Sequence, residues 1–249
     1  MTAYSNGIAP FYDFFTPNDG GAAAQLKFLS ALLAPGASVL DVGAGTGSLA
    51  MELAAAGHRV TALEPDVQMR AVMLTRLAQR EDLASRFTLL PEDAFVEGAF
   101  DLVTSLAVLH LVPDEAKRRE MLMFAREHLA TSGRFVVEVP VEGSDRIPRP
   151  AAVVAKRRVG EVEYEHASEQ SPLDAGRWRT VWTFRARREG RVLEETCQVF
   201  DYRVWKSREF ETELRAAGFT ATKRFGGFDR APFNPGRSRA LLAVCERSS

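Results

Sequence analysis

Short apolar runs alternate with amphipathic helical patterns between residues 37 and 140. The apolar runs, each long enough for one strand, are "SVLDV", "HRVTALE", "RFTLL", "FDLVTS" and "RFVVEV". Between them, apolar residues recur at helical spacing in "SLAMELAAAG", "DVQMRAVMLTRLAQR" and "DEAKRREMLMFAREHLATSG". Gly57 ends the first helical segment as a candidate C-terminal cap. Strands that alternate with helices predict a doubly wound α/β fold around a mostly parallel sheet.

The pattern changes after Pro140. Residues 141–176 show no clean period and contain proline, glycine and clustered basic residues, so we interpret them as loops and irregular structure. The next stretch, "RWRTVWTFRARREGRVLEETCQVFDYRVW", alternates apolar and basic positions. It predicts an antiparallel hairpin that turns at Glu189 and Gly190.

The last part of the chain resumes the helix and strand pattern. "SREFETELRAAGF" predicts a helix with Ser207 as its N-cap and Gly218 just past its end. The strand candidates "FTATKRF" and "RALLAVCER" follow, and we expect them to return to the main sheet as a final hairpin.

Composition and charge narrow the class of protein only slightly. The chain has 249 residues, 46% of them hydrophobic and 26% charged, and a net charge of −1, which does not favour a generic nucleic-acid binder. Cys197 and Cys245 are too few for a disulfide framework, so we interpret both as buried apolar residues of a reducing compartment. No apolar run reaches membrane-spanning length and no leader pattern is visible, so we expect a cytoplasmic protein without a membrane partner.

The clearest candidate for a ligand-binding site is "VLDVGAGTGSLA", where Gly43, Gly45 and Gly47 follow the first predicted strand. Glycine serves where the backbone needs a positive φ or where a ligand comes close, and a strand, a glycine-rich turn and a helix form a nucleotide site. A dinucleotide motif needs its third glycine where this chain has Ser48, which disfavours NAD. Asp41 would repel a pyrophosphate and attract a cation.

These residues resemble the first motif, (D/E)-x-G-x-G-x-G, of the class I S-adenosylmethionine-dependent methyltransferases. The later segments "SLAVLHLVPD", "TSGRFVVEV" and "SREFETELRAAGF" resemble the small-molecule branch of that family. The resemblance implies S-adenosylmethionine as cofactor and a Rossmann-like sheet of seven strands with an antiparallel final hairpin and an inserted small β subdomain. It also implies that Asp41, Gly43, Ala44 and Gly45 hold the methionine part of the cofactor.

Two further acidic residues match the family in order along the chain. By resemblance, Glu64 accepts hydrogen bonds from the two ribose hydroxyls and Asp93 binds the adenine amine, with Ala94 and Phe95 along the ring. Alone, the glycine turn, Glu64 or Asp93 could each be structural; together and in order they favour the methyltransferase interpretation. The other cofactor contacts that we expect are Tyr12, Gly47, Pro65, Met69, Ser105 and Leu106, with no metal site.

The resemblance also suggests how the chain is divided. We expect an N-terminal lid and helix over 1–35, the cofactor-binding core over 36–140, an inserted substrate-binding segment with a hairpin over 141–205, and a C-terminal helix and strands that complete the core sheet over 206–249. In related enzymes the N-terminal segment folds over the cofactor, and Tyr12 resembles a tyrosine that points into the site. We expect the neighbouring phenylalanines, Phe11, Phe14 and Phe15, to be core residues.

His110 is the candidate general base, because it alone of the four histidines lies just after the fourth strand, where the family's chain reaches the substrate. A hydroxyl acceptor needs such a base, whereas an amine needs only to be neutral, so His110 slightly favours a hydroxyl. The alternative is that His110 begins the next helix and makes a structural hydrogen bond.

We therefore expect a methyltransferase that acts on an oxygen or nitrogen atom of a small metabolite, working as a monomer or homodimer without nucleic acid. One alternative is an RNA methyltransferase that uses the basic, aromatic segment 146–191. Another is a protein that binds S-adenosylmethionine without turnover.

Overall fold

The computed structural model describes residues 7–15, 21–143 and 147–248. The helices are α1 (Ala9–Phe15), α2 (Gly21–Ser30), α3 (Ser48–Ala55), α4 (Val67–Leu77), α5 (Glu115–Glu127) and α6 (Ser207–Ala216). The strands are β1 (Ser38–Val42), β2 (Arg59–Leu63), β3 (Phe87–Leu90), β4 (Phe100–Leu106), β5 (Leu129–Pro140), β6 (Arg149–Val159), β7 (Val162–Asp174), β8 (Arg177–Arg188), β9 (Arg191–Arg203), β10 (Phe219–Phe225) and β11 (Ala240–Arg247).

Seven of the strands form the main sheet, in the order β10-β11-β5-β4-β1-β2-β3. Five neighbouring strands of this sheet are parallel, namely β5, β4, β1, β2 and β3. Strands β11 and β10 join them beside β5 as an antiparallel hairpin. This confirms the doubly wound, mostly parallel sheet with its final hairpin. The chain order reverses beside β1, between β1 and β4, and ligands of such sheets bind outside the carboxyl ends of the strands at that point.

Both faces of the main sheet are buried. Successive side chains of a strand point to opposite faces, so Leu40 of β1 joins the core under α5 and α6, whereas Val39 joins the core under α2 and α3. Residues Leu122 and Phe210 close the first core and Leu29 the second. Helices on both faces explain why the strands appear in the sequence as nearly continuous apolar runs.

A second sheet of four antiparallel strands, in the order β6-β7-β8-β9, lies in the chain between β5 and α6. The expectation of irregular structure over 141–176 is therefore wrong, because this region contains β6 and β7. Nearly every residue of β6 is exposed, so the strand has no buried face to impose an alternating apolar pattern. The hairpin turn at Glu189 and Gly190 is confirmed, and both residues have positive φ, as a two-residue turn of type I′ requires.

Two helix boundaries differ from the sequence prediction. Helix α5 ends at Glu127, and residues 129–133, which we expected in that helix, enter β5 because Leu129 pairs with Phe100 of β4. Ser207 is the first residue of α6 and not its N-cap; Lys206 holds that position without a side-chain hydrogen bond. Gly57 and Gly218, with φ of 98° and 80°, follow α3 and α6 as expected.

The two cysteines do not share one environment. Cys245 is buried in β11, as expected, but Cys197 on β9 is exposed, so its interpretation as a buried apolar residue is wrong. None of the helices in the described ranges is long and apolar enough to cross a lipid bilayer.

Helix α1 packs against the second sheet through its phenylalanines. The Phe11 ring stacks on Phe184 of β8 at 5.3 Å between centroids, and Phe14 contacts Tyr164 of β7 edge-on at 5.2 Å. Phe15 is buried with Phe184 in the same cluster. This confirms the core role expected for these three phenylalanines and holds α1 over the carboxyl ends of the main strands.

Candidate cofactor and acceptor site

The glycine turn after β1 needs its three glycines for different reasons. All three have positive φ: 77° at Gly43, 59° at Gly45 and 79° at Gly47. A Cβ atom at Gly43 would lie 2.5 Å from the Val108 side chain, and one at Gly47 would lie 2.6 Å from that of Met73. A Cβ atom at Gly45 would meet nothing within 4 Å. Gly43 and Gly47 are thus fixed by packing, whereas Gly45 borders open space in which a ligand can approach the backbone.

Asp41 lies in β1 directly before this turn and is only 4% exposed. The Thr104 hydroxyl donates a hydrogen bond to its Oδ1 at 2.7 Å. Burial raises the pKa of Asp41 to about 6, and the Thr104 hydrogen bond opposes that rise. A buried carboxylate with one neutral donor is well placed to attract a cationic group at the turn.

Glu64 follows β2 and supports the glycine turn from the neighbouring strand. Its Oε2 accepts a hydrogen bond from the Gly45 N–H at 2.8 Å, and its Oε1 accepts one from the Asp66 N–H at 2.8 Å. Burial raises the pKa of Glu64, whereas these two hydrogen bonds lower it, and burial has the larger effect. Each carboxylate oxygen keeps a second lone pair, so Glu64 can hold the turn and still accept from two hydroxyls. The sequence analysis predicted the contact with the hydroxyls and did not predict the support of the glycine turn.

The expected adenine contacts follow β3, and two further expected cofactor contacts, Pro65 and Met69, follow β2. Asp93 is exposed and begins a short 3-10 helix that ends at Phe95, whose side chain is 60% exposed. Ala94 belongs to the same turn, and its side chain lies outside the described part of the structure. Met69 is buried inside α4, whereas Pro65 is exposed at the end of β2. Carboxyl ends of neighbouring parallel strands meet at one edge, which brings the two turns together.

The end of β4 adds a polar group and a strained backbone position. Ser105 is 2% exposed, and its buried hydroxyl has no hydrogen-bond partner in the described residues. Leu106 beside it is partly buried. Ala107 follows with φ of 55°, a conformation that costs a residue with a Cβ about 1 kcal/mol or more. Strain and an unpaired buried hydroxyl at one strand end are typical of a ligand site.

A pocket of about 420 Å³ lies between the strand ends of the main sheet and the second sheet. This volume is within the range of small-molecule sites. Its lining includes Tyr12, His110, Glu138, Trp182, Tyr202 and Arg239. The second sheet and α1 therefore border a space of the size of a small molecule at the strand ends of the main sheet.

His110 lies in a short 3-10 helix, Leu109–Leu111, and contributes to the pocket wall. Its ring contacts Tyr202 of β9 edge-on at 5.7 Å between centroids. The alternative interpretation assumed that His110 begins the next helix, but that helix, α5, begins at Glu115. The imidazole is thus placed at the pocket wall, against the ring of Tyr202.

Tyr12 connects the glycine turn with the pocket. Its ring lies 6.1 Å from that of Trp182 in the pocket wall. Burial raises the pKa of the Tyr12 phenol, and the negative charges of Asp13 and Glu64 raise it further. The influence of Glu64 means that Tyr12 lies close to the residues expected to hold the cofactor.

Asp13, which the sequence analysis did not single out, contacts residues at the glycine turn and on α4. Its Oδ1 accepts a hydrogen bond from the Thr46 hydroxyl at 2.6 Å, and its Oδ2 is 3.0 Å from Arg76 Nη1. Arg76 also donates to the Ser48 hydroxyl at 2.7 Å. These contacts attach α1 to the glycine turn. No motif marks Asp13, because its partners are 33 and 63 residues away.

The arginines of β8 are paired with carboxylates on the neighbouring strands. Arg179 bonds Asp201 at 2.6 Å, and Arg187 bonds Glu165 at 2.9 Å. The basic appearance of this segment is therefore offset locally by acidic residues. Within residues 7–15, 21–143 and 147–248, no group of three or more His, Cys, Asp or Glu side chains could hold a metal ion.

Comparison with known families shows to which family the chain belongs. A family model described as a methyltransferase domain matches residues 18–224. The chain belongs to this methyltransferase family. The match confirms the resemblance drawn from the glycine turn, Glu64 and Asp93, and with it S-adenosylmethionine as the cofactor.

Individual relatives are more distant. An uncharacterised methyltransferase of Alkaliphilus oremlandii is 33% identical over 99 residues, which cover 39% of this chain and 43% of that protein. The chain thus spans less than half of the length of this curated relative. The methyltransferase CcbJ of Streptomyces caelestis has a similar structure, with a TM-score of 0.80 and 22% identity over 100% of this chain and 99% of that one. The sugar N-methyltransferase KedS8 of Streptoalloteichus sp ATCC 53650 also has a similar structure, with a TM-score of 0.76 and 19% identity. That comparison covers 100% of this chain and 97% of KedS8. At these identities the structural likeness establishes the fold.

Proposed function

We propose that this methyltransferase transfers the methyl group of S-adenosylmethionine to an oxygen or nitrogen atom of a small metabolite bound in the pocket. The observation that carries the proposal is the position of Tyr12. Its phenol lies within the electrostatic influence of Glu64, and its ring forms part of the pocket wall. One side chain therefore borders both the expected cofactor site and the space for an acceptor, as transfer between two bound molecules requires.

The residues around the glycine turn fit the cofactor. When bound, S-adenosylmethionine supplies a methyl carbon on a positively charged sulfur. Asp41 offers a buried negative charge, and at Gly45 nothing lies within 4 Å of the position that a Cβ atom would take. Glu64 has lone pairs left for the ribose hydroxyls, and the exposed Asp93 and Phe95 are the proposed adenine contacts.

His110 is the proposed proton acceptor. An acceptor hydroxyl or ammonium group must lose a proton before its oxygen or nitrogen can form a new bond to carbon. The imidazole lies in the pocket wall with Tyr202 against it, which orients the ring. Trp182 and Phe200 form an apolar part of the same pocket wall.

The paired arginines of β8 support a small acceptor over RNA. A surface that binds nucleic acid needs cations available to phosphates, whereas Arg179 and Arg187 are held by Asp201 and Glu165. The pocket volume also suits a metabolite. We accordingly propose 36–140 as the cofactor-binding core and 141–205 as the acceptor-binding segment. A cytoplasmic location and a monomeric or homodimeric state stay predictions.

Transfer of a radiolabelled methyl group to a metabolite library tests this function. We expect label in low-mass products, and its loss when Gly45 is replaced by alanine. Label in added RNA, with retention on RNA that weakens as salt rises, would support the RNA alternative instead. Tight cofactor binding without transfer to any class of acceptor would support a protein without turnover.

A further inference from the structure

Glu138 is the one acidic side chain in the pocket lining described by the structure. It lies on β5, between the fully buried Val137 and Val139, and pairs in register with Leu106 of β4. Its carboxylate therefore stands at the strand end beside the strained Ala107, in the wall of the same pocket. Nothing in the sequence marks it except one charge inside the apolar run "FVVEV".

The carboxylate of Glu138 has no compensating partner in the part of the chain that the structure describes. No hydrogen bond or ion pair from a described residue reaches it, and burial alone raises its pKa. The titratable and charged groups that share the pocket lining are Tyr12, His110, Tyr202 and Arg239. Arg239 stands exposed at the rim and does not pair with Glu138. An uncompensated carboxylate in a mostly apolar pocket costs free energy, and a bound cation removes that cost.

We propose that Glu138 binds the cationic amino group of the acceptor, so that the acceptor is an amine that enters the pocket as an ammonium ion. The inference rests on the proposed function and names the substrate class of that site. It replaces the slight preference for a hydroxyl that His110 alone suggested. A neutral hydroxyl would leave the charge of Glu138 without a partner among the residues that the structure describes.

The two groups then have separate tasks. Glu138 holds the ammonium ion by charge, and the imidazole of His110 takes one proton from the nitrogen, which leaves a neutral amine with a free electron pair and an imidazolium ion. Glu138 is accordingly a binding residue. Its loss should weaken acceptor binding, whereas the loss of His110 should affect turnover.

A matched pair of probes tests the inference without knowledge of the natural acceptor. Cyclohexylamine and cyclohexanol have the same ring and nearly the same size, and differ in that the first is a cation at pH 7.5 and the second is neutral. Both are small enough for the pocket of about 420 Å³. Their dissociation constants are measured by calorimetry on the full chain saturated with S-adenosylhomocysteine.

We expect cyclohexylamine to bind at least about tenfold more tightly than cyclohexanol, and Glu138→Gln to remove about 10- to 100-fold of the amine affinity while leaving the alcohol unchanged. Glu246→Gln is the matched control, because Glu246 lies on β11 with a side chain that is 52% exposed and outside the pocket lining. It should change neither affinity. The glutamine variant should melt no lower than the wild type, because it removes a buried charge.

Three results would overturn the inference: equal binding of the two probes, amine binding that Glu138→Gln leaves unchanged, or no amine binding by protein that binds the cofactor. Failure to bind S-adenosylhomocysteine or S-adenosylmethionine would instead contradict the proposed function. The two failures are therefore distinguishable in one set of titrations.

Discussion

Asp41 makes cofactor affinity depend on pH in a direction and amount that the structure specifies. Burial raises its pKa from 3.8 to about 6, so cofactor-free protein carries a protonated Asp41 below that pH. A cationic cofactor binds the ionised form and lowers the pKa in the complex, so binding at low pH must first remove a proton. With a free-state pKa of about 6, the dissociation constant should rise about tenfold between pH 7 and pH 5.

The stability of the cofactor-free protein should change in the opposite direction. A carboxyl group with a raised folded-state pKa destabilises the fold when ionised, and this cost disappears as the pH falls from about 6 to about 4. The shift of about two units corresponds to at most about 3 kcal/mol. Asp41→Asn should therefore raise the free energy of unfolding by about 1–3 kcal/mol at pH 7, and by little at pH 4.

Calorimetric titration with S-adenosylmethionine between pH 5 and pH 7 measures the first effect, and urea unfolding measures the second. Asp41→Asn retains an oxygen for the Thr104 hydroxyl and loses the ionisation, so its affinity should be weaker at pH 7 and nearly independent of pH. A wild-type dissociation constant that stays level over this range, or an asparagine variant with the same pH dependence as the wild type, would refute the reasoning.

Four further substitutions separate the roles of the site residues. Glu64→Gln should weaken S-adenosylmethionine binding by about 10-fold or more in calorimetry, since it replaces a charged acceptor; an unchanged affinity would remove Glu64 from the cofactor site. His110→Gln should lower kcat by about 10²–10⁴-fold in a methyl-transfer assay and leave cofactor affinity intact, and near wild-type turnover would make His110 structural. Gly45→Ala should cost about 1–2 kcal/mol of stability and most of the cofactor affinity, because its methyl group enters open space at the turn. Gly47→Ala should instead lower the melting temperature further, because its Cβ would meet Met73 at 2.6 Å, and the reverse ranking of the two melting temperatures would contradict this.

The main sheet was predictable because its strands are buried on both faces and its helices carry strong turn signals. The same reasoning failed for β6, whose residues are almost all exposed and whose pairing with β7 depends on backbone hydrogen bonds. The sequence analysis also placed the end of α5 too late. Leu129 belongs to β5 because it pairs with Phe100, 29 residues earlier in the chain, and no local pattern encodes such a contact.

The candidate site divides in the same way. Asp41, the glycines and Glu64 could be predicted because they lie within a short motif or at a strand end. Glu138 and Asp13 could not, because their importance comes from the pocket and from the contacts with Thr46 and Arg76 that folding creates. Residues that act through tertiary contacts leave little trace in local sequence.

Calorimetric titration of the full chain with S-adenosylmethionine and, separately, with NADH tests the central claim most directly. The site predicts saturable binding of S-adenosylmethionine and none of NADH, because buried Asp41 favours a cation and repels a pyrophosphate at the glycine turn. Tight binding of NADH with no binding of S-adenosylmethionine would contradict the account.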